Sequence, residues 1–214
     1  MSGFQTYNTA GALVVSSEHT GTYFRDFRDY GGVTDAGYFN INNALGNGTD
    51  MGYVASPFEQ DQNLLWFKFN DGAKMLFNGG TPYGTANSGR MVRTGLDVGI
   101  SSGYLDVFDA SGKLVWSAAS AAKIPRIIGF YDIPAGYNLD SNVYTQNIGS
   151  NYLLASAACS NVGGDGGTSG YSGLMFRYSG GNLSCIWASQ NQRTWSQTMI
   201  NYGLRIPIAA ISYY

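Results

Sequence analysis

His19 is the only histidine in the chain, so a Ser-His-Asp or Cys-His system would have to run through it. It lies in Ser16-Ser17-Glu18-His19-Thr20-Gly21, a polar stretch that reads as a turn rather than a catalytic constellation. The chain has no G-x-S-x-G elbow, no phosphate-binding glycine loop and no H-E-x-x-H pair. Two glutamates, one histidine and two cysteines outside any C-x-x-C spacing are a poor ligand set for a structural or catalytic metal. Twelve aspartates are present, so a pair of carboxylates for glycoside hydrolysis is open in principle. Most of them stand beside Gly, Asn or Ser, where an aspartate hydrogen-bonds its own turn. Asp165, in Gly163-Gly164-Asp165-Gly166-Gly167, has the look of one calcium-binding nonapeptide, but such sites need stacked repeats. The residues therefore predict no catalytic group, no metal and no cofactor.

Composition points the same way. Of 214 residues, 30 are Gly, 16 Tyr and 11 Phe, while only 12% are charged, against roughly 25% in an average soluble domain. Such a surface relies on Tyr, Asn, Ser, Thr and Gly, and suits sugar or protein contacts or burial in an assembly. A net charge of -2 with scattered basic residues offers no footprint for nucleic acid. The opening residues have no basic segment followed by an apolar one, and no apolar run approaches the ~20 residues of a membrane span. A soluble, cytosol-made protein is expected, with Cys159 and Cys185 reduced and buried, although a bridge across the glycine-rich stretch between them stays open.

The elements read as strands. Helix periodicity is absent except at Ser117–Ile124, which Pro125 cuts short. Leu64–Phe69 and Ala73–Phe77 flank Asp71-Gly72, a turn pair that predicts a hairpin. Gly173–Tyr178 and Leu183–Ser189 flank Ser179-Gly180-Gly181-Asn182 in the same way. Two further cassettes match each other: Tyr7, Asn8, Gly11, Leu13, Val14 and Ser16 in the first, Phe108, Asp109, Gly112, Leu114, Val115 and Ser117 in the second. In each an aromatic closes a strand, Asn or Asp bonds back to the turn, Gly takes the left-handed position and Leu-Val re-enters the core. The recurrence predicts an all-β fold of two packed antiparallel β-sandwich-like halves with almost no helix. The halves are residues 1–94 and 95–214, and the turn-rich run Asn78–Arg90 is the connector before the boundary. Chance recurrence of generic hairpin chemistry is the alternative.

Two segments remain for contacts. In Tyr23–Gly32 a strand would place Arg25, Phe27 and Asp29 on one face and Asp26, Arg28 and Tyr30 on the other. That is either an edge strand guarded by charge or a subunit interface laced with Arg–Asp pairs. Asn161–Gly173 is too rich in glycine for regular structure. It is either a flexible loop or a recognition loop whose contacts come from Asn161, Asp165 and Tyr171, tyrosine giving contact area at low entropic cost.

The opening Gly3-Phe4-Gln5-Thr6-Tyr7-Asn8-Thr9-Ala10-Gly11 and the later Leu105–Trp116 element, with Leu96, Asp97 and Val98 ahead of it and Pro125–Gly136 behind, resemble the small tail proteins of tailed bacteriophages. The likeness covers the first twenty residues and roughly Gly95–Gly136. It implies a virion tail protein assembled in the host cytoplasm, placed at the fibre or tip, with the first half attached to other tail proteins. The second half would then face a host cell-surface glycan or protein. It also implies a homotrimer and carries over no catalytic residue. A collar or decoration subunit without receptor contact, and a glycan-depolymerising hydrolase, are the rival readings.

Overall fold

The computed structural model describes residues 3–7, 9, 11, 13–31, 34–41, 49–53, 63–78, 81–158, 160–165 and 168–212. The fold is all-β and antiparallel. Among the described residues the helical content is two single 3-10 turns, Ala121–Lys123 and Ala155–Ala157. The first is all that forms of the alanine-rich segment before Pro125.

The first half opens with a small hairpin, β1 (Gln5–Tyr7) and β2 (Leu13–Ser16), and continues with β3 (Tyr23–Tyr30), β4 (Thr34–Ile41) and β5 (Thr49–Tyr53). It then runs through β6 (Leu64–Phe69), β7 (Lys74–Asn78), β8 (Thr81–Gly84) and β9 (Gly89–Gly95). The second half opens with another small hairpin, β10 (Asp106–Phe108) and β11 (Leu114–Ser117), followed by β12 (Arg126–Ile133), β13 (Tyr144–Asn147) and β14 (Tyr152–Leu154). It closes with β15 (Ser160–Asp165), β16 (Thr168–Ser179), β17 (Asn182–Gln190) and β18 (Leu204–Ala210). One large sheet has the order β12-β18-β14-β6-β9-β3; the other has β13-β17-β16-β7-β8-β5-β4, with β15 added on β16.

Both sheets therefore contain strands of both halves, arranged alike. In the first sheet β6, β9 and β3 lead outward from the centre on one side, and β14, β18 and β12 do so on the other. In the second, β7, β8 and β5 are matched by β16, β17 and β13. At each centre the equivalent strands lie antiparallel, Phe67 opposite Leu153 and Met75 opposite Phe176, as an approximate two-fold axis through both sheets requires. The edge strands repeat even their irregularities. The β3–β9 register slips at Arg25, the β12–β18 register slips at Ile128, and each bulge lies two residues before a phenylalanine.

Side-chain alternation explains the layers. Leu65, Phe67 and Phe69 of β6 and Met75 and Phe77 of β7 are all buried in one core with Tyr131, Leu153, Leu174, Phe176 and Ile206. Phe67 lies 5.1 Å from Phe77, and Phe69 stacks on Tyr178 at 6.0 Å. Each such side chain contributes roughly 2 kcal/mol of burial. This core corrects one reading of the sequence. Strands β6 and β7 do not pair; they belong to different sheets, and Asp71-Gly72 turns the chain across the core. A positive φ of 81° at Gly72 serves such an arch as well as a hairpin. The connector Asn78–Arg90 is corrected too: it contains β8 and the start of β9, inside the sheets. The hairpin of β16 and β17 forms as expected around Gly180 and Gly181, both at positive φ.

Candidate interaction surface

The two cassettes fold into the same object. In β1–β2, Gln5 pairs with Ser16, Thr6 with Val15 and Tyr7 with Leu13; in β10–β11, Asp106 pairs with Ser117, Val107 with Trp116 and Phe108 with Leu114. Both ladders slip at the last pair, where the turn begins. Gly11 and Gly112 have φ of 77° and 82°, the left-handed position that glycine takes without steric cost. At each base the chain closes alike: Ser17 donates its N–H to the Phe4 carbonyl and Ala118 to that of Leu105, each at 2.9 Å. The buried hydroxyls of Ser16 and Ser117 accept from the N–H groups of Glu18 and Ala119 at 3.1 and 3.2 Å.

Val15, Val107 and Val115 are buried together, with Trp116 against them, so the hairpins of the two halves pack on each other. The Tyr23 hydroxyl, at the start of β3, donates to the Val115 carbonyl at 3.2 Å and ties the pair to the first sheet. What the pair leaves outside is apolar. Phe4 (45%), Tyr7 (58%), Leu105 and Phe108 (51%) are exposed at equivalent places, and Leu13 and Val14 are exposed beside them. Tyr104 is fully exposed with φ of +66°, and the Leu105 N–H reaches back over it to the Gly103 carbonyl at 2.9 Å. A tyrosine at the centre of such a three-residue turn is strained. Asp106 holds it there, accepting from the Gly103 N–H at 3.0 Å and from the Ser102 hydroxyl. Those bonds, the Gly103 N–H foremost, keep the Asp106 carboxyl below its ordinary range.

Strand β3 is the edge of the first sheet, as a charge-guarded strand should be. Its Arg–Asp pairs, however, close within the chain. Asp26 takes Arg93 of β9 through two bonds at 3.0 and 2.6 Å, Asp29 takes Arg90 at 2.5 and 2.8 Å, and Arg25 pairs with Asp97. The Arg90 hydrogen bond holds the Asp29 carboxyl below its usual value. Phe27 and Arg28 are exposed, and Arg90 covers the Phe27 ring. Tyr30, expected among interface residues, is instead in the core, 5.8 Å from Phe67. At the opposite edge Gln146 covers β12: its amide donates to the Phe130 carbonyl at 2.6 Å and accepts the Asp132 N–H at 3.0 Å.

The glycine-rich run Asn161–Gly173 is not a loop. It forms the β15–β16 hairpin, with Asn161 opposite Ser172 and Asp165 opposite Thr168. Glycines there lose entropy on ordering, but the ladder and the apolar face of β16 supply the compensation. Tyr171 is 7% exposed and packs with Leu76, Tyr83, Met175 and Ile186, and burial raises its hydroxyl pKa. It is thus a core residue, in correction of its place among receptor contacts. For Asn161 and Asp165 the described part is the backbone.

His19 is exposed in the turn after β2, its ring nitrogen 3.4 Å from the Ser16 hydroxyl. Cys185 is buried in the core, and Cys159 lies outside the described residues. Among the described residues no three His, Cys, Asp or Glu converge as metal ligands, and no helix is long and apolar enough to cross a membrane. Sequence reasoning missed Phe4, Tyr104 and Leu105 as exposed residues, and missed Arg90 and Arg205 as partners of the edge strands. The repeat itself carried a signal for Leu105, which follows the first cassette's Phe4.

Over residues 1–213 the chain matches the family described as Domain of unknown function (DUF8377), and it belongs to that family. No curated protein and no solved structure matches it.

Proposed function

We propose that this protein is a structural subunit of a bacteriophage tail, assembled in the host cytoplasm and built into the virion by its paired hairpins. The resemblance of the two cassettes to small tail proteins supports the setting. The observation that carries the mode of action is Tyr104: a fully exposed aromatic ring on strained backbone, held outward by Asp106. Strain of this kind persists where surrounding structure enforces it, and it concentrates at sites of function. An exposed tyrosine next to the exposed Leu105, on a hairpin pair whose Phe4, Tyr7 and Phe108 are exposed as well, has the character of a protein–protein anchor. Attachment then draws on both halves, not on residues 1–94 alone. We further propose that the copies assemble as a trimer with fibre or tip proteins around them. A direct contribution to host receptor binding loses its main support with the burial of Tyr171, so the structural role is preferred to the adhesive one.

Tyr104→Gly is the decisive variant, because glycine accepts the turn's positive φ and removes only the ring. Virions produced with it should lack this chain while the isolated protein keeps its unfolding midpoint. Virions that retain the chain but adsorb slowly to host cells would overturn the structural reading in favour of an adhesive one. Virions with normal content and normal adsorption would overturn both.

A further inference from the structure

Where Phe4 of the first hairpin meets Phe108 of the second, the surface is hollowed. The hollow is about 590 Å³ and is lined by Gly3, Phe4, Ser17, Glu18, Phe108, Asp109 and Ala110. It thus presents two half-exposed aromatic rings and two carboxylates. One oxygen of Asp109 is engaged in the turn, accepting from the N–H groups of Ser111 and Lys113 at 2.8 and 2.9 Å and from the Ser111 hydroxyl at 2.6 Å. Lys113 is the cation that bears on it, and no described cation forms an ion pair with Glu18 or Asp109.

The same chain shows what completes such a set. Twice, at equivalent edges, it builds an exposed phenylalanine with a neighbouring carboxylate and fills the place between them with a guanidinium. Arg90 lies 4.1 Å above Phe27 and bonds Asp29; Arg205 lies 4.2 Å above Phe130 and bonds Asp132 at 3.1 Å. Arginine suits both contacts at once, since its planar cation stacks on a ring while its edge donates to a carboxylate. The hollow between the hairpins has the rings and the carboxylates without the arginine.

We infer that this hollow receives an arginine side chain from a neighbouring protein chain, stacked on Phe4 or Phe108 and paired with Glu18 and Asp109. The inference rests on the hairpin pair being the attachment surface and adds the chemistry of its partner. Lysine satisfies the charge but not the stacking, and a neutral isostere satisfies neither, so the hollow discriminates among basic side chains.

The probe is N-acetyl-L-arginine amide, titrated into the full-length protein and followed by NMR with ring-labelled phenylalanine. Saturable shifts should appear at Phe4 and Phe108. The matching citrulline amide should bind at least tenfold more weakly, and raising the salt concentration should weaken the arginine probe. The double variant Glu18→Gln, Asp109→Asn should lose at least fivefold in affinity. Its fold is safeguarded because the first cassette carries Asn8 at the place of Asp109, and asparagine serves the same turn. Equal binding of arginine and citrulline amides, shifts elsewhere only, or an unaffected double variant would overturn the inference. Arginine binding at this place together with normal incorporation of Tyr104→Gly would uphold the site and reject the tail-attachment reading. Absence of arginine binding together with loss of Tyr104→Gly from virions would do the reverse.

Discussion

Arg90 and Arg205 occupy the same place in two different halves of the protein. Each sits on the strand next to an edge strand, covers a phenylalanine at 4.1 or 4.2 Å, and pairs with the aspartate two residues beyond it. Together with the matched bulges at Arg25 and Ile128, this makes the halves structural repeats well beyond the hairpin cassettes.

Arg90→Ala and Arg205→Ala should both destabilise the fold, each by about 1 kcal/mol, the sum of a weak exposed ion pair and a surface cation–π contact. Arg90 is the better covered of the two, with 30% exposure against 61%, so its replacement should cost more. Urea midpoints of the two variants check the order. A neutral Arg90→Ala would mean that the contact is decoration.

Gly11→Ala and Gly112→Ala should cost equal amounts, about 1–2 kcal/mol, because an added Cβ meets nothing within 4 Å and only the left-handed backbone is penalised. Asparagine at either position should cost less, since it tolerates this conformation. Unequal losses in thermal unfolding would show that the hairpins are not equivalent in energy.

Tyr171→Ala should lower stability by about 3 kcal/mol or more, as truncation of a buried aromatic does. The sequence alone predicts almost no change, because it places this tyrosine in a loop. Chemical denaturation decides between the two expectations.

Acid should loosen the hairpin surface before it unfolds the core. The carboxyls of Asp29, Asp97, Asp106 and Asp109 are all held below the ordinary aspartate value, chiefly by Arg90, Arg25, Gly103 and Ser111 respectively. A depressed carboxyl contributes stability that is present above its unfolded pKa of about 3.9 and is lost as pH falls through the folded one. Stability should thus be level from neutrality to about pH 5 and decline below about pH 4. The fluorescence of the Tyr104 turn should respond in the same window, and Asp106→Asn should abolish that response. A turn insensitive to Asp106→Asn would show that its strain is held by other groups.

Much of this was present in the order of residues. Tyr7-Asn8…Gly11 and Phe108-Asp109…Gly112 specify their hairpins because turn chemistry is local: an Asn or Asp of the type that favours turns, then a glycine that takes positive φ. The short apolar-rich runs Leu64–Phe69 and Leu183–Ser189, bounded by turn residues, specify strands for the same reason. Partnership between strands was beyond that reach. Asp71-Gly72 joins two sheets instead of two neighbouring strands, because Phe67, Phe69, Met75 and Phe77 all fall toward one core, and a local turn signal is the same in both cases. Asn161–Gly173 is a strand pair because β16 offers a ladder and a buried face to a segment with little preference of its own. Arg90 and Arg205 find their phenylalanines only through registers set by chain segments far away. Sequence determined the turns, the short strands and the fact of repetition, since these depend on neighbours a few residues apart. The tertiary structure decided which strands pair, which tyrosine is buried and which is held outward, because packing and register depend on residues that meet only when both halves close over a shared core.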